Sequence, residues 1–229
     1  MTITPDPILD NIVWHTLCGL HAPFAVGTNT VKRYAPGFSP VTCFSEPDNP
    51  DFEALSTLCD PGEAIFCEGW AGATPAGWKI HMETRVLRLV WNGDAPQEDP
   101  APEAILLRTE HIEQAVSLAE LTRPGPFGPR TIELGEYFGV FDGNHLVSMA
   151  GERFCAGTYR EISGVCTHPD HRGQGYATRL MKKLILRQTQ RGEIPFLHVI
   201  SDNHAARDLY LAMGFEIYRE SALRVISRA

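Results

Sequence analysis

The spacing of apolar positions sorts residues 104–226 into alternating short and long periods. Residues 104–107 are a short apolar run, read as a strand. Residues 110–121 place Ile112, Ala115, Val116 and Ala119 on one face, the spacing of a helix. Residues 137–141 and 145–154 read as strands joined by the hairpin turn Asp142-Gly143-Asn144, and residues 159–167 as the next strand. From Tyr176 the period becomes helical again, with Ala177, Leu180, Met181, Leu184 and Ile185 on one face and Gly192 ending the run. Residues 195–200 form another strand. Asp202 or Asn203 caps a further helix, with Ala206, Leu209, Tyr210 and Met213 on one face and Gly214 after it. Residues 216–226 supply the last strands. Strands alternating with helices predict an α/β class.

The first half is less regular. Residues 7–18 carry Ile8, Ile12, Val13 and Leu17 at roughly helical spacing, and residues 24–26 are a short apolar piece. Residues 33–51, broken by prolines, read as loop. Residues 52–59 read as a short helix, capped by Asp48 or Asp51 and stopped by Asp60-Pro61-Gly62. Residues 64–67 and 85–91 read as strands. Residues 92–102 are acidic and proline-rich, which predicts a linker. The expected organisation is an N-terminal domain over residues 1–100 and a second domain over 101–229. Residues 122–129 hold three prolines and two glycines and read as a surface crossover, with a substrate-side lid as the alternative.

Composition narrows the function classes. The net charge is −8, which argues against nonspecific binding to nucleic acid or anionic membrane. The polar start of the chain, residues 1–10, lacks a signal-peptide pattern, and no run of 18 apolar residues occurs, so a cytoplasmic protein without a membrane span is expected. None of the six cysteines forms a CxxC pair, so reduced buried thiols are expected. His168 and His171 flank a proline turn with no further Cys or His nearby, and no metal site is expected.

The chemistry concentrates in His168-Pro169-Asp170-His171-Arg172-Gly173-Gln174-Gly175-Tyr176-Ala177. A strand leads in and a helix leads out. Glycines let the backbone approach a ligand, and free N–H groups at a helix start suit an anion. No Gly-Lys-Ser/Thr follows, so this is not a P-loop, and Thr178 stands where a dinucleotide fingerprint needs its third glycine. By itself the pattern allows either a phosphate cradle or a plain helix start.

Arg172-x-x-Gly175-x-Ala177 resembles the Arg/Gln-x-x-Gly-x-Gly/Ala motif of the GNAT acetyltransferase superfamily, and Val165-Cys166-Thr167-His168-Pro169 resembles that family's fourth strand and its exit. Asn203, Ala206, Tyr210, Gly214 and Phe215 resemble its Asn-x-x-Ala-x-x-x-Tyr-x-x-x-Gly-Phe ending. The resemblance spans about residues 104–229 and is nearest the FR47-like branch. It implies a mixed, mainly antiparallel central sheet flanked by helices, with the first hundred residues a smaller N-terminal α/β domain of unassigned role. It further implies a cytoplasmic N-acetyltransferase using acetyl-coenzyme A, with a non-catalytic acyl-CoA sensor as the alternative. A third reading is an α/β protein holding another nucleotide. In the family's terms, the backbones of Val165, Cys166 and Thr167 would pair with the pantetheine arm. The amides of Gly173, Gln174, Gly175, Tyr176, Ala177 and Thr178 would hold the pyrophosphate beside Arg172. Asn203 would bind the pantetheine or cap its helix. Tyr210 would protonate the departing thiolate. Glu161, 11 residues before Arg172, matches the family's general-base glutamate, with Glu152 the other candidate and His198 a third. Lys182, Lys183 and Arg207 are candidates for the cofactor's 3′-phosphate. The acceptor is read as a small-molecule amine; the acidity leans toward a basic one such as an amino acid, polyamine or aminoglycoside. The oligomeric state is not legible.

Overall fold

Each apolar segment of the second half becomes an element, and most of the first half joins the same sheet. The computed structural model describes residues 5–229, so residues 1–4 of the polar N-terminal stretch lie outside it. The chain forms α1 (Pro7–Asp10), α2 (Ile12–Cys18), β1 (Ala25–Gly27), β2 (Val31–Tyr34), β3 (Val41–Phe44), α3 (Phe52–Ser56), β4 (Ile65–Glu68) and β5 (Trp78–Trp91). It continues with β6 (Ile105–Leu106), α4 (Ile112–Thr122), β7 (Tyr137–Asp142), β8 (His145–Ala156), β9 (Tyr159–Thr167), α5 (Tyr176–Gln190), β10 (Ile194–Ile200), α6 (His204–Ala212) and β11 (Phe215–Arg228).

Among the described residues eleven strands form one sheet, ordered β1-β2-β3-β4-β11-β5-β10-β9-β8-β7-β6. Only β3–β4 and β9–β10 run parallel; the other neighbours are antiparallel. The class is therefore mixed α/β around a mainly antiparallel sheet. The expected boundary near residue 100 falls in the connection between β5 and β6, but β5 itself sits between β10 and β11. The two halves thus share their sheet.

Two stretches differ from the expectation. The loop expected over residues 33–51 contains the end of β2 and all of β3, short strands whose flanking prolines hid them. The strand expected over residues 85–91 begins at Trp78. Its first half carries Lys79, His81, Glu83 and Arg85, which obscured the pattern, while the second half is buried on both faces and is apolar apart from Arg88. Pairing with β11 along its whole length holds the polar half in place.

Helices cover the sheet with the faces their spacing defines. Leu180, Met181, Leu184 and Ile185 of α5 pack on Phe138, Val147, Ile162 and Leu197. Full burial of each such side chain contributes about 1.5–3 kcal/mol. Leu9, Ile12, Val13 and Leu17 of the N-terminal helices pack with Tyr34, Phe38, Phe154 and Phe196, joining the first half to β8 and β10.

Candidate active site

The site begins where two parallel strands part. β9 and β10 pair only at Tyr159–Ile194, Arg160–Pro195 and Glu161–Phe196. Beyond that point Gly164 takes a φ of 64°, with the Tyr137 ring against it. The far ends of both strands line a cavity of about 1490 Å³. The Ser148 hydroxyl anchors the end of β9, donating to the Cys166 carbonyl at 3.0 Å and meeting the Thr167 hydroxyl at 2.8 Å.

After β9 the chain makes a short turn over Pro169–His171 and then the glycine bend. Gly173 and Gly175 have φ of 77° and 75°, a backbone region that L side chains rarely adopt. Gly175 is the N-cap of α5 and provides no side-chain cap, so the first N–H groups of a 15-residue helix are left for a ligand. A Cβ on either glycine would meet nothing within 4 Å, so the approach is open. Arg172 Nε donates to the Thr167 carbonyl at 3.4 Å, bracing the bend.

Val165, Cys166, Thr167, the run from Arg172 to Thr178, and Asn203 all border this one cavity, whereas Lys182, Lys183 and Arg207 do not. Asn203 caps α6, its Oδ1 accepting from Ala206 N at 3.2 Å. Tyr210 also borders the cavity, packed against Phe215 at 6.2 Å between ring centroids. Burial raises its pKa, so the hydroxyl keeps its proton at neutral pH. Lys183 is tied to Asp99 and the Ala101 carbonyl, and Arg207 to Asp208, so both are already engaged.

The carboxylates lie elsewhere than expected. Neither Glu161 nor Glu152 lines the cavity. Glu161 sits where β9 is still paired with β10, and its side chain is buried. It accepts from Arg153 Nε and Nη2 at 2.9 and 2.8 Å, Phe154 N at 3.2 Å and His198 Nδ1 at 2.7 Å. Burial opposes its charge, but Arg153 and His198 outweigh that and lower the pKa to about 2. Irregular pairing between β8 and β9 breaks the simple alternation that grouped Glu161 with Val165 and Thr167. Glu152 lies beneath the end of α5, accepting from Gln188 Nε2 at 3.0 Å, from Glu136 N at 3.2 Å and from Arg191.

Three charged or polar groups do face the cavity from its floor: Arg153, His198 and Glu68. Arg88 Nε donates to His198 Nε2 at 2.9 Å, and Arg88 Nη2 to Glu68 Oε1 at 2.5 Å. An arginine nitrogen can only donate, so His198 Nε2 accepts and its Nδ1 carries the proton given to Glu161. Burial works against the charge of Glu68, but the Arg88 guanidinium bonded to it prevails and its pKa is lowered. Sequence reasoning missed Glu68 and Arg88. The available signal was a lone charge at the end of Ile65-Phe66-Cys67 and another inside Val86-Leu87-Arg88-Leu89-Val90, since a charge in an apolar strand needs a partner. Among the described residues no cluster of three or more His, Cys, Asp or Glu is arranged to hold a metal, and no helix is long and apolar enough to cross a membrane.

The same architecture occurs in a crystal structure from Novosphingobium aromaticivorans assigned to the GNAT family of acetyltransferases. It is 30% identical, covers 98% of this chain and 100% of its own, and superposes with a TM-score of 0.87. The chain belongs to the GNAT family. The family model described as FR47-like protein matches residues 137–225. Two further GNAT structures share the fold at 18% identity. A GCN5-related N-acetyltransferase-like protein from Streptococcus suis has a TM-score of 0.63, with 93% of this chain and 92% of that one covered. A GCN5-related N-acetyltransferase from Kribbella flavida has a TM-score of 0.61, with 96% and 95% covered. No curated protein matches the sequence. In this GNAT protein the parted strands, the glycine bend and the Tyr210 helix surround one cavity, an arrangement suited to acetyl transfer.

Proposed function

We propose that this GNAT protein transfers the acetyl group of acetyl-coenzyme A to a small-molecule amine by direct attack, with both substrates bound together. The observation carrying this reading is the convergence of the glycine bend, the uncapped start of α5 and Tyr210 on one cavity. The open approach at Gly173 and Gly175 fits a pyrophosphate, and the free edges of β9 and β10 fit an extended pantetheine arm. Acetyl-coenzyme A would supply the activated acetyl thioester.

The chain's residues divide the remaining work. Amides at the start of α5 bind the diphosphate, with Arg172 adding positive charge. Asn203 holds the α6 end of the cavity. A backbone N–H of β9 near Val165 donates to the carbonyl oxygen as charge develops there. Glu68, ionised and on the cavity floor, binds the ammonium and receives its first proton, and the second leaves to solvent once the nitrogen–carbon bond has formed. Glu161 acts through His198, fixing which ring nitrogen carries the proton, and is a positioning residue. Glu152 supports α5. Tyr210 gives its proton to the departing sulfur and regains one from solvent. The amine nitrogen bonds to the acetyl carbon as the carbon–sulfur bond breaks. The net change is an ammonium and a thioester going to an amide, a thiol and one released proton.

Release of thiol from acetyl-coenzyme A across an amine panel tests this reading, with calorimetric titrations of coenzyme A, ATP and NAD beside it. Amine-dependent thiol release together with coenzyme A binding is expected. Tight coenzyme A binding without release for any amine points to the acyl-CoA sensor, and binding of ATP alone refutes the assignment of the cleft.

A further inference from the structure

We infer that the acceptor is an amine with a single cationic centre on a sizeable apolar or aromatic body, rather than a polyamine or aminoglycoside. This rests on the N-acetyltransferase reading and narrows its substrate class. Besides the glycine bend, the cavity is lined by residues of the neighbouring strands β3, β4, β11, β5 and β10. Strand register shows which of these residues lie side by side. Val41 lies opposite Phe66, Phe66 opposite Val225, and Val225 opposite Met82, so one apolar row crosses four strands. Leu223 lies beside Glu68 in the next row, and Val86 faces Ile200. Phe127 closes the side of the cavity and Phe154 lines it from β8.

The floor carries one carboxylate. Glu68 Oε1 takes the bond from Arg88, and Oε2 lies 3.4 Å from His198 Nε2, which is itself an acceptor. Oε2 therefore keeps acceptor capacity for one ammonium group. The other carboxylate lining the cavity, Glu120, is exposed on α4. A second ammonium on the substrate would lie against the Val41–Phe66–Val225–Met82 row without a partner, and unpaired charge in an apolar site is strongly disfavoured. An alkyl or aromatic body on that row gains from leaving water.

The test compares kcat/KM for 2-phenylethylamine and hexylamine with that for spermidine and kanamycin, using the full chain and acetyl-coenzyme A. The apolar monoamines are expected to exceed both polycations by at least about tenfold. Glu68→Gln is expected to lower kcat/KM for the monoamines about tenfold or more, while calorimetry shows coenzyme A affinity retained. Phe66→Ala is expected to raise KM for the apolar amines more than it lowers kcat. Thiol release that is equal or faster with spermidine or kanamycin overturns this inference and leaves N-acetyl transfer standing. Absence of release with every amine overturns both.

Discussion

Replacing Glu161 by Gln tests the buried charge network that underlies the cavity floor. The carboxylate is 1% exposed and accepts four hydrogen bonds, two of them from Arg153. Its folded-state pKa of about 2 compares with an ordinary value of 4.5. At about 1.4 kcal/mol per unit, ionisation contributes roughly 3 kcal/mol at pH 7. The variant keeps the shape but leaves the Arg153 guanidinium buried and uncompensated, a loss of about 3–5 kcal/mol. For a chain of this size that corresponds to a fall in melting temperature of roughly 6–20 °C. The sign with pH follows from the depressed folded pKa. The contribution is complete above about pH 4.5 and is lost as pH falls toward 2, leaving roughly 2 kcal/mol at pH 3.5. Thermal unfolding followed by circular dichroism at pH 7 and pH 3.5 is therefore expected to show a gap between wild type and Glu161→Gln that narrows in acid. A variant within about 1 kcal/mol of wild type at pH 7, or a gap that widens in acid, would falsify the reasoning.

Further outcomes are expected at the cleft. Tyr210→Phe keeps the ring contact with Phe215 but removes the proton donor, so kcat falls about a hundredfold with KM little changed; an unchanged kcat removes Tyr210 from the chemistry. Gly175→Ala meets no steric obstacle but places an L side chain at φ 75°, a strain of about 1–2 kcal/mol. The variant folds, and calorimetry shows weaker coenzyme A binding; unaltered affinity counts against the glycine bend as the diphosphate site. Because the Glu68 pKa is depressed, wild-type kcat/KM stays level from the amine's pKa down to about pH 5. In Glu68→Gln only the neutral amine reacts, and kcat/KM rises about tenfold per pH unit over the same range; identical profiles for the two enzymes exclude Glu68 as proton acceptor.

The sequence was most readable where helices meet strands. α5 and α6 carry long apolar faces, and the glycines and Asn203 mark their starts. Their place beside one cavity followed from motif order. β5 was half-hidden because polar side chains occupy its first turns of pleat, and nothing local says that a strand before the linker inserts between β10 and β11. The pairing of Glu68 with Arg88 spans two strands that both adjoin β11 but not each other, so no spacing rule reveals it. Glu161 was read as cavity-facing because an unbroken alternation was assumed. The irregular β8–β9 pairing and Gly164 break that alternation, and Arg153, unremarked in the sequence, then encloses the carboxylate.

Initial rates of thiol release with acetyl-coenzyme A and 2-phenylethylamine varied together test direct transfer in a ternary complex most directly. Intersecting double-reciprocal lines are predicted, since the cavity holds both substrates and the amine attacks the thioester itself. Parallel lines, with release of thiol before the amine binds, would show a covalent acetyl-enzyme and contradict the mechanism.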